Sequence, residues 1–247
     1  MVVKKSLYYV ISSAFVLNSA YYLQNKIKLY NSGLVFINFE VKMSNLESSL
    51  DNEVQNYLEI LKKNENVQTL QSGSITLSIY KKFLKTFYFI EDLSQKAVNK
   101  AAHNTSETNP YLSKRFEYCA KGELGHAQIA LKDLRDVGED TIDSDNKALI
   151  DEYNDFLQNE ADEYPLGILG HSYLFENVSG ILFPKNSPLN YPSKFIEVHA
   201  KEDPGHSIAI KRTVRKIEKD LDGNDIIRII NFSKKSGEYL INVFESC

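Results

Sequence analysis

The chain has 247 residues, enough for one domain with a full core, and no Gly-rich or Pro-rich linker that would mark a second. Its formal net charge of −4, with the signs interspersed, lacks the basic footprint of a nucleic-acid-binding surface. Two cysteines, Cys119 and Cys247, are too few for a disulfide framework and point to a reducing, cytoplasmic setting.

Residues 1–42 differ from the rest. "KKSLYYVISSAFVLNSAYYL" has a basic start and an apolar middle, as a secretory signal does. Ser12, Ser13, Asn18 and Ser19 interrupt the apolar run, so a membrane span is not expected. Met43 is followed by "SNLESSLDNEVQNYLEILKK", which reads as a polar N-terminus leading into a helix. Residues 1–42 are therefore expected to be an extension outside the core, with 43–247 the functional domain; a cleaved signal is the other reading.

From residue 46 onward apolar residues recur at spacings of three and four. The predicted helices span 46–62, 75–102, 111–137 (stopped by Gly138), about 144–159, 165–183, 193–221 and about 226–245. No segment is read as a strand. The expectation is an all-α bundle of roughly seven helices.

One helix carries an unusual stretch, "HAKEDPGH" at 199–206. At about 100° per residue, Asp203 lies near +40° and His206 near −20° from His199, so the three share one narrow stripe. Imidazole, carboxylate and imidazole on one stripe are transition-metal donors. Pro204 and Gly205 are poor choices for a helix interior, and such exceptions cluster where function outweighs propensity. Glu202 lies near the edge of the stripe and competes with Asp203, whereas Glu197 points away.

Two further helices add donors. Glu123 and His126 in "KGELGHAQ" stand three apart, as neighbours on one helical face. Glu176 sits in the nearly all-apolar "GILGHSYLFENVSGILF", where a lone carboxylate is costly to bury unless paired or metal-bound. Glu91 in "FIEDLSQ" is a further carboxylate without a second anchor. Without Glu91, the three histidines and three carboxylates from these three helices suit two iron or manganese ions with positions left open for dioxygen or substrate.

Ordinary readings stand beside each of these. Paired histidines often lie on solvated faces, and Glu and His three apart often form a surface pair. His171 lies about 140° around its helix from Glu176 and does not share its direction. His103 ends a helix, where an imidazolium suits the dipole. Cys119, one turn before Glu123, reads as a packing residue and not as a reactive thiolate. No phosphate-cradling loop, G-x-S-x-G or C-x-x-C occurs, nor any flavin or nicotinamide signature.

The segments "GELGHAQIALKDLRDVG", "YPLGILGHSYLFENVSG" and "HAKEDPGH", in that order, resemble the signatures of the haem-oxygenase-like dimetal oxidases and oxygenases. These are also called iron-containing redox enzymes, related to the thiaminase-II and pyrroloquinoline-quinone-synthase proteins. The resemblance covers roughly residues 75–246 and implies a seven-helix haem-oxygenase-like fold. It implies Glu123, His126, Glu176, His199, Asp203 and His206 as ligands, favours Asp203 over Glu202, and leaves Glu91 as a candidate extra carboxylate. It implies two iron ions, with manganese as an alternative and no haem. The implied partners are dioxygen, an external electron donor and an unidentified small molecule; a homodimer is a candidate assembly. Two other classes fit the same fold: a metal-free thiaminase-type hydrolase or cofactor-independent oxidase, and a non-catalytic ligand-binding bundle.

Overall fold

The computed structural model describes residues 21–27, 37–43, 45–143, 146–184 and 188–247. The chain divides into two units, Met1–Ser49 and Leu50–Cys247. In the first, β1 (Tyr21–Ile27) and β2 (Ile37–Met43) form an antiparallel hairpin with Tyr21 opposite Met43 and Ile27 opposite Ile37. This departs from the strand-free expectation. "INFEVKM" alternates apolar and polar residue by residue, the period-two pattern of a strand. The signal-like run before residue 21 lies outside the described residues.

The second unit is helical, with the first turn of its first helix in the other unit. Its elements are α1 (Leu46–Leu61), α2 (Glu65–Ser72), α3 (Leu77–Asn104), α4 (Pro110–Gly122), α5 (His126–Asp136), α6 (Lys147–Glu163), α7 (Ile168–Leu182), α8 (Lys194–Ile217) and α9 (Gly223–Ser246). That makes nine α-helices among the described residues where about seven were expected. One addition is the short α2, opened by Asn64, whose side chain accepts from Asn66 N and Val67 N, and closed by Gly73 at φ 78°. The other comes from a break: the helix expected over 111–137 is split between Gly122 and His126.

Side-chain caps set several starts. Thr76 accepts from Ile79 N at the head of α3, and Asn109 from Leu112 N ahead of Pro110 in α4. Asp222 and Asp225 form a capping box on α9.

The long α3 packs against α4, α5 and α6, while α7 lies between α8 and α9. A cluster of Phe83, Phe87, Phe183, Phe195 and Phe244 ties α3, α8 and α9 to the residue that follows α7, with Phe87 and Phe195 centroids 5.6 Å apart. All five rings are buried, each contributing roughly 1.5–3 kcal/mol. Glycines allow close helix approaches: a Cβ on Gly170 of α7 would meet Ile229 O of α9 at 2.2 Å. Gly180 faces Asp203 and Pro204, its hypothetical Cβ 3.4 Å from Asp203 Cβ, so α7 and α8 run close where both carry polar residues. Helix α8 continues through Pro204. Its N-terminus is held from α5 by the buried Asp133, which accepts from Phe195 N at 2.7 Å.

Candidate metal centre

The core of the helical unit is interrupted by a group of ionisable side chains. Glu91 comes from α3, Glu123 and His126 from the α4–α5 break, Glu176 from α7, and His199, Asp203 and His206 from α8. The break is what aims the second pair. Glu123 caps α4, its N–H bonding Cys119 O at 2.9 Å, and Gly125 then takes φ 102° before His126 begins α5. The expected single helical face for Glu123 and His126 is therefore not what joins them. A left-handed glycine turns the chain instead, bringing Glu123 Oε2 to 2.7 Å from His126 Nδ1.

Among the described residues, two sets of donor atoms gather within 4.8 Å of one another: Glu91, Glu123, His126 and His199, and then Glu123, Glu176 and His206. Glu123 belongs to both. Asp203 stands beside the second set, with Oδ1 3.9 Å from His206 Nδ1, while its Oδ2 accepts from Ser179 Oγ.

The histidine nitrogens are oriented as ligands would be. His199 Nδ1 donates to Phe195 O at 2.8 Å, which leaves the Nε2 lone pair free, 3.5 Å from Glu91 Oε1. His206 Nδ1 lies 3.2 Å from Glu176 Oε2 and 3.6 Å from Glu123 Oε1. Yet His126 Nδ1, His199 Nε2 and His206 Nδ1 are all buried without a well-aligned hydrogen bond. Nitrogens close to carboxylates but off the hydrogen-bond line are a geometry that a shared cation satisfies. A donor set of imidazole nitrogens and carboxylate oxygens fits iron or manganese. Glu202, the competitor of Asp203, belongs to neither set; its Oε2 lies 3.7 Å from His126 Nε2, on the side away from Glu123.

Electrostatics agree with the crowding. Burial, reinforced by Glu123 and Asp203, pushes the Glu176 carboxyl up to about 8, and burial raises Asp203 to about 6. Burial works against the His199 imidazolium, but Glu91 outweighs it and lifts the group to about 10. The close contact with Glu176 leads in raising His206 to about 9. Burial also opposes ionisation of Glu123, which the His126 contact and the neighbouring imidazoles overcome, lowering it. Protons do here what a cation would do.

Beside these groups lies a cavity of about 60 Å³, room for a few water-sized guests. Glu91, Glu123, Glu176, Asp203 and His199 are its charged lining, and Phe87, Val98, Phe175 and Phe183 its apolar one. Cys119 lines it too, with a thiol pushed up to about 11, mainly by burial. His171 also borders it, but its nitrogens are engaged by Ser236 and Ser94. His103 and Glu197 are exposed and belong to neither donor set. Sequence reasoning missed Ser179, and it gave Glu91 little weight. The signal for Glu91 was its place in the series Phe87, Glu91, Ser94 and Val98, which repeats with helical period and lines the cavity throughout.

No protein-family model matches the chain, and no curated protein matches it either. Solved structures do. A TenA homologue from Pyrococcus furiosus superposes with a TM-score of 0.70 at 12% identity, covering 81% of this chain and 98% of that one. A domain of unknown function with a haem-oxygenase-like fold from Shewanella denitrificans gives a TM-score of 0.67 at 18% identity, covering 80% and 90%. Haem oxygenase-1 from the cyanobacterium Synechocystis, in complex with haem, gives 0.61 at 18% identity, covering 82% and 91%. At these identities the likeness is one of architecture: the helical unit has the haem-oxygenase-like fold.

Proposed function

We propose that this chain is a non-haem dimetal oxidase or oxygenase, with two iron ions as its cofactor and manganese as the alternative, acting on a small molecule with dioxygen. The observation that carries the reading is the set of three buried histidine nitrogens without hydrogen-bond partners, facing carboxylates, with Glu123 common to both donor groups. Glu91, His126 and His199 would hold one ion, Glu176 and His206 the other, with Glu123 between them and Asp203 completing the second. Bound iron would supply electrons to dioxygen and open coordination positions beside the cavity.

The protein's own contribution is orientation and exclusion. The Phe195 carbonyl fixes the His199 tautomer, and Ser179 fixes Asp203. Phe87, Phe175 and Phe183 keep the cavity apolar next to its acids, which strengthens every charge interaction there. Electrons come from an external donor, since the sequence carries no flavin or nicotinamide signature. Among the described residues no helix is long and apolar enough to cross a membrane.

Anaerobic reconstitution with ferrous ion, followed by elemental analysis and oxygen uptake, tests the proposal. About two irons per chain and oxygen consumption on exposure to air are expected. A folded protein that retains no metal under these conditions sinks it.

A further inference from the structure

The cavity reaches a second set of polar groups whose hydrogen-bond order can be read from neighbour to neighbour. Ser236 Oγ donates to Phe232 O at 2.9 Å, so it accepts from His171 Nδ1, 3.2 Å away. That puts the imidazole proton on Nδ1 and makes Nε2 an acceptor. Ser94 Oγ, 3.2 Å from Nε2, is then its donor, and accepts in turn from Tyr153 OH at 3.0 Å. Tyr153 OH also lies 3.5 Å from the same nitrogen. Both His171 and Ser94 border the cavity that the metal-site carboxylates line.

Tyr153 continues outward. Its ring meets that of Tyr239 edge-on, with centroids 5.3 Å apart. Tyr239 OH donates to Glu152 Oε1 at 2.8 Å, and Glu152 is exposed. Two buried phenols, each hydrogen-bonded toward a base, thus lead from the cavity to the surface.

Resting on the dimetal reading above, we propose that Tyr153 and Tyr239 are an electron relay between the metal centre and a donor at the surface near Glu152, with Ser94 and His171 taking the Tyr153 proton. With the ferrous ions bound and oxidised by dioxygen, the centre would take one electron from Tyr153. Its proton passes to Ser94 Oγ as the Ser94 proton moves to His171 Nε2, leaving a neutral tyrosyl radical and an imidazolium. Tyr239 then gives one electron to Tyr153, whose proton returns from His171 through Ser94, while the Tyr239 proton moves to Glu152. A one-electron donor restores Tyr239, and Glu152 returns the proton. Burial, the leading cause, raises both phenols far above the usual range, so neither ionises at neutral pH and each proton leaves only with the electron. Burial also holds the His171 imidazolium down to about 3, which keeps Nε2 free to accept. An oxidised phenol is a far stronger acid than that imidazolium and still delivers its proton.

Ferrous protein mixed with dioxygen and freeze-quenched should give a tyrosyl radical by electron paramagnetic resonance, narrowed by ring-deuterated tyrosine. Tyr153→Phe should abolish that signal with iron content unchanged, whereas Tyr80→Phe, whose hydroxyl donates to Pro192 O elsewhere, should keep it. Ser94→Ala should slow radical formation on the order of a hundredfold. Oxygen consumption by iron-loaded protein without a tyrosyl radical, or a radical that survives Tyr153→Phe, overturns the relay. Protein that holds no iron overturns the dimetal reading instead. The relay is then judged on metal-free protein oxidised by a ruthenium photo-oxidant with persulfate. There a Tyr153 radical should require Tyr239, and a yield indifferent to Tyr239→Phe rejects the relay.

Discussion

Glu123 Oε2 and His126 Nδ1 lie 2.7 Å apart although a helix ends at one residue and another begins at the other. Gly125, between them at φ 102°, makes this juxtaposition, and a Cβ there would touch nothing within 4 Å. The cost of Gly125→Ala is therefore conformational alone, about 1–2 kcal/mol. A lower melting temperature together with weakened iron binding is expected by calorimetry and elemental analysis. An unchanged iron affinity would mean that the break does not set the site.

Glu123 is shared by both donor groups, whereas Glu91 and Glu176 each serve one. Glu123→Ala should lose both irons, and Glu91→Ala or Glu176→Ala about one each. Asp203→Ala should weaken the second ion, while Glu202→Gln, His171→Ala and His103→Ala should leave metal content as it was. Equal losses from Glu123→Ala and Glu176→Ala would remove the bridging role.

The sequence made the helices legible because their apolar faces repeat over long stretches, and it made the α8 stripe legible because three donors recur within two turns. It hid whatever depends on a single backbone turn or on packing. "GELGH" continues a helical pattern, so the break at Gly125 left no period to read. "INFEVKM" alternates fully, but it is a single short run, six of its seven residues in the extension set outside the core, with no neighbouring periodicity to support it. Glu91 sits on the margin of an apolar face, and its approach to His199 Nε2 at 3.5 Å comes from the α3–α8 packing through Phe87 and Phe195. The Ser179–Asp203 contact likewise depends on how closely α7 approaches α8.

The site also fixes a pH dependence. In the metal-free protein His199 rises from 6.5 to about 10 and His206 from 6.5 to about 9. Their stabilising contribution is complete below the unfolded value and is lost as pH rises through those folded values. Asp203, raised from 3.8 to about 6, and Glu176, raised from 4.5 to about 8, favour their neutral forms in the fold and lose stability in the same direction. Glu123, which is lowered, runs the other way and loses its contribution as pH falls. The metal-free melting temperature should therefore fall from weakly acidic to alkaline pH. A cation needs neutral imidazoles and ionised carboxylates, so its binding should tighten over the same range. The melting shift caused by manganese should be larger at about pH 8 than at about pH 6. A larger shift at the lower pH would contradict the assignment of these groups as ligands.

Cys119 separates the oxidative reading from a thiaminase-type one. It borders the cavity beside Glu123 and Glu176, where a nucleophile would have to lie. Its thiol is nonetheless pushed up to about 11, with burial leading and Glu176 adding to it, against a smaller opposing effect of Arg115. The nearest acids disfavour a thiolate, and no imidazole hydrogen-bonded to the sulfur is found among the described residues. Cys119→Ala should therefore fold normally, bind about two irons and consume dioxygen at a rate within about twofold of the unaltered chain. Oxygen uptake and iron content, measured on the same preparation, check this. Loss of all turnover with fold and metal intact would make the sulfur a participant in the chemistry and move the assignment to the hydrolase class.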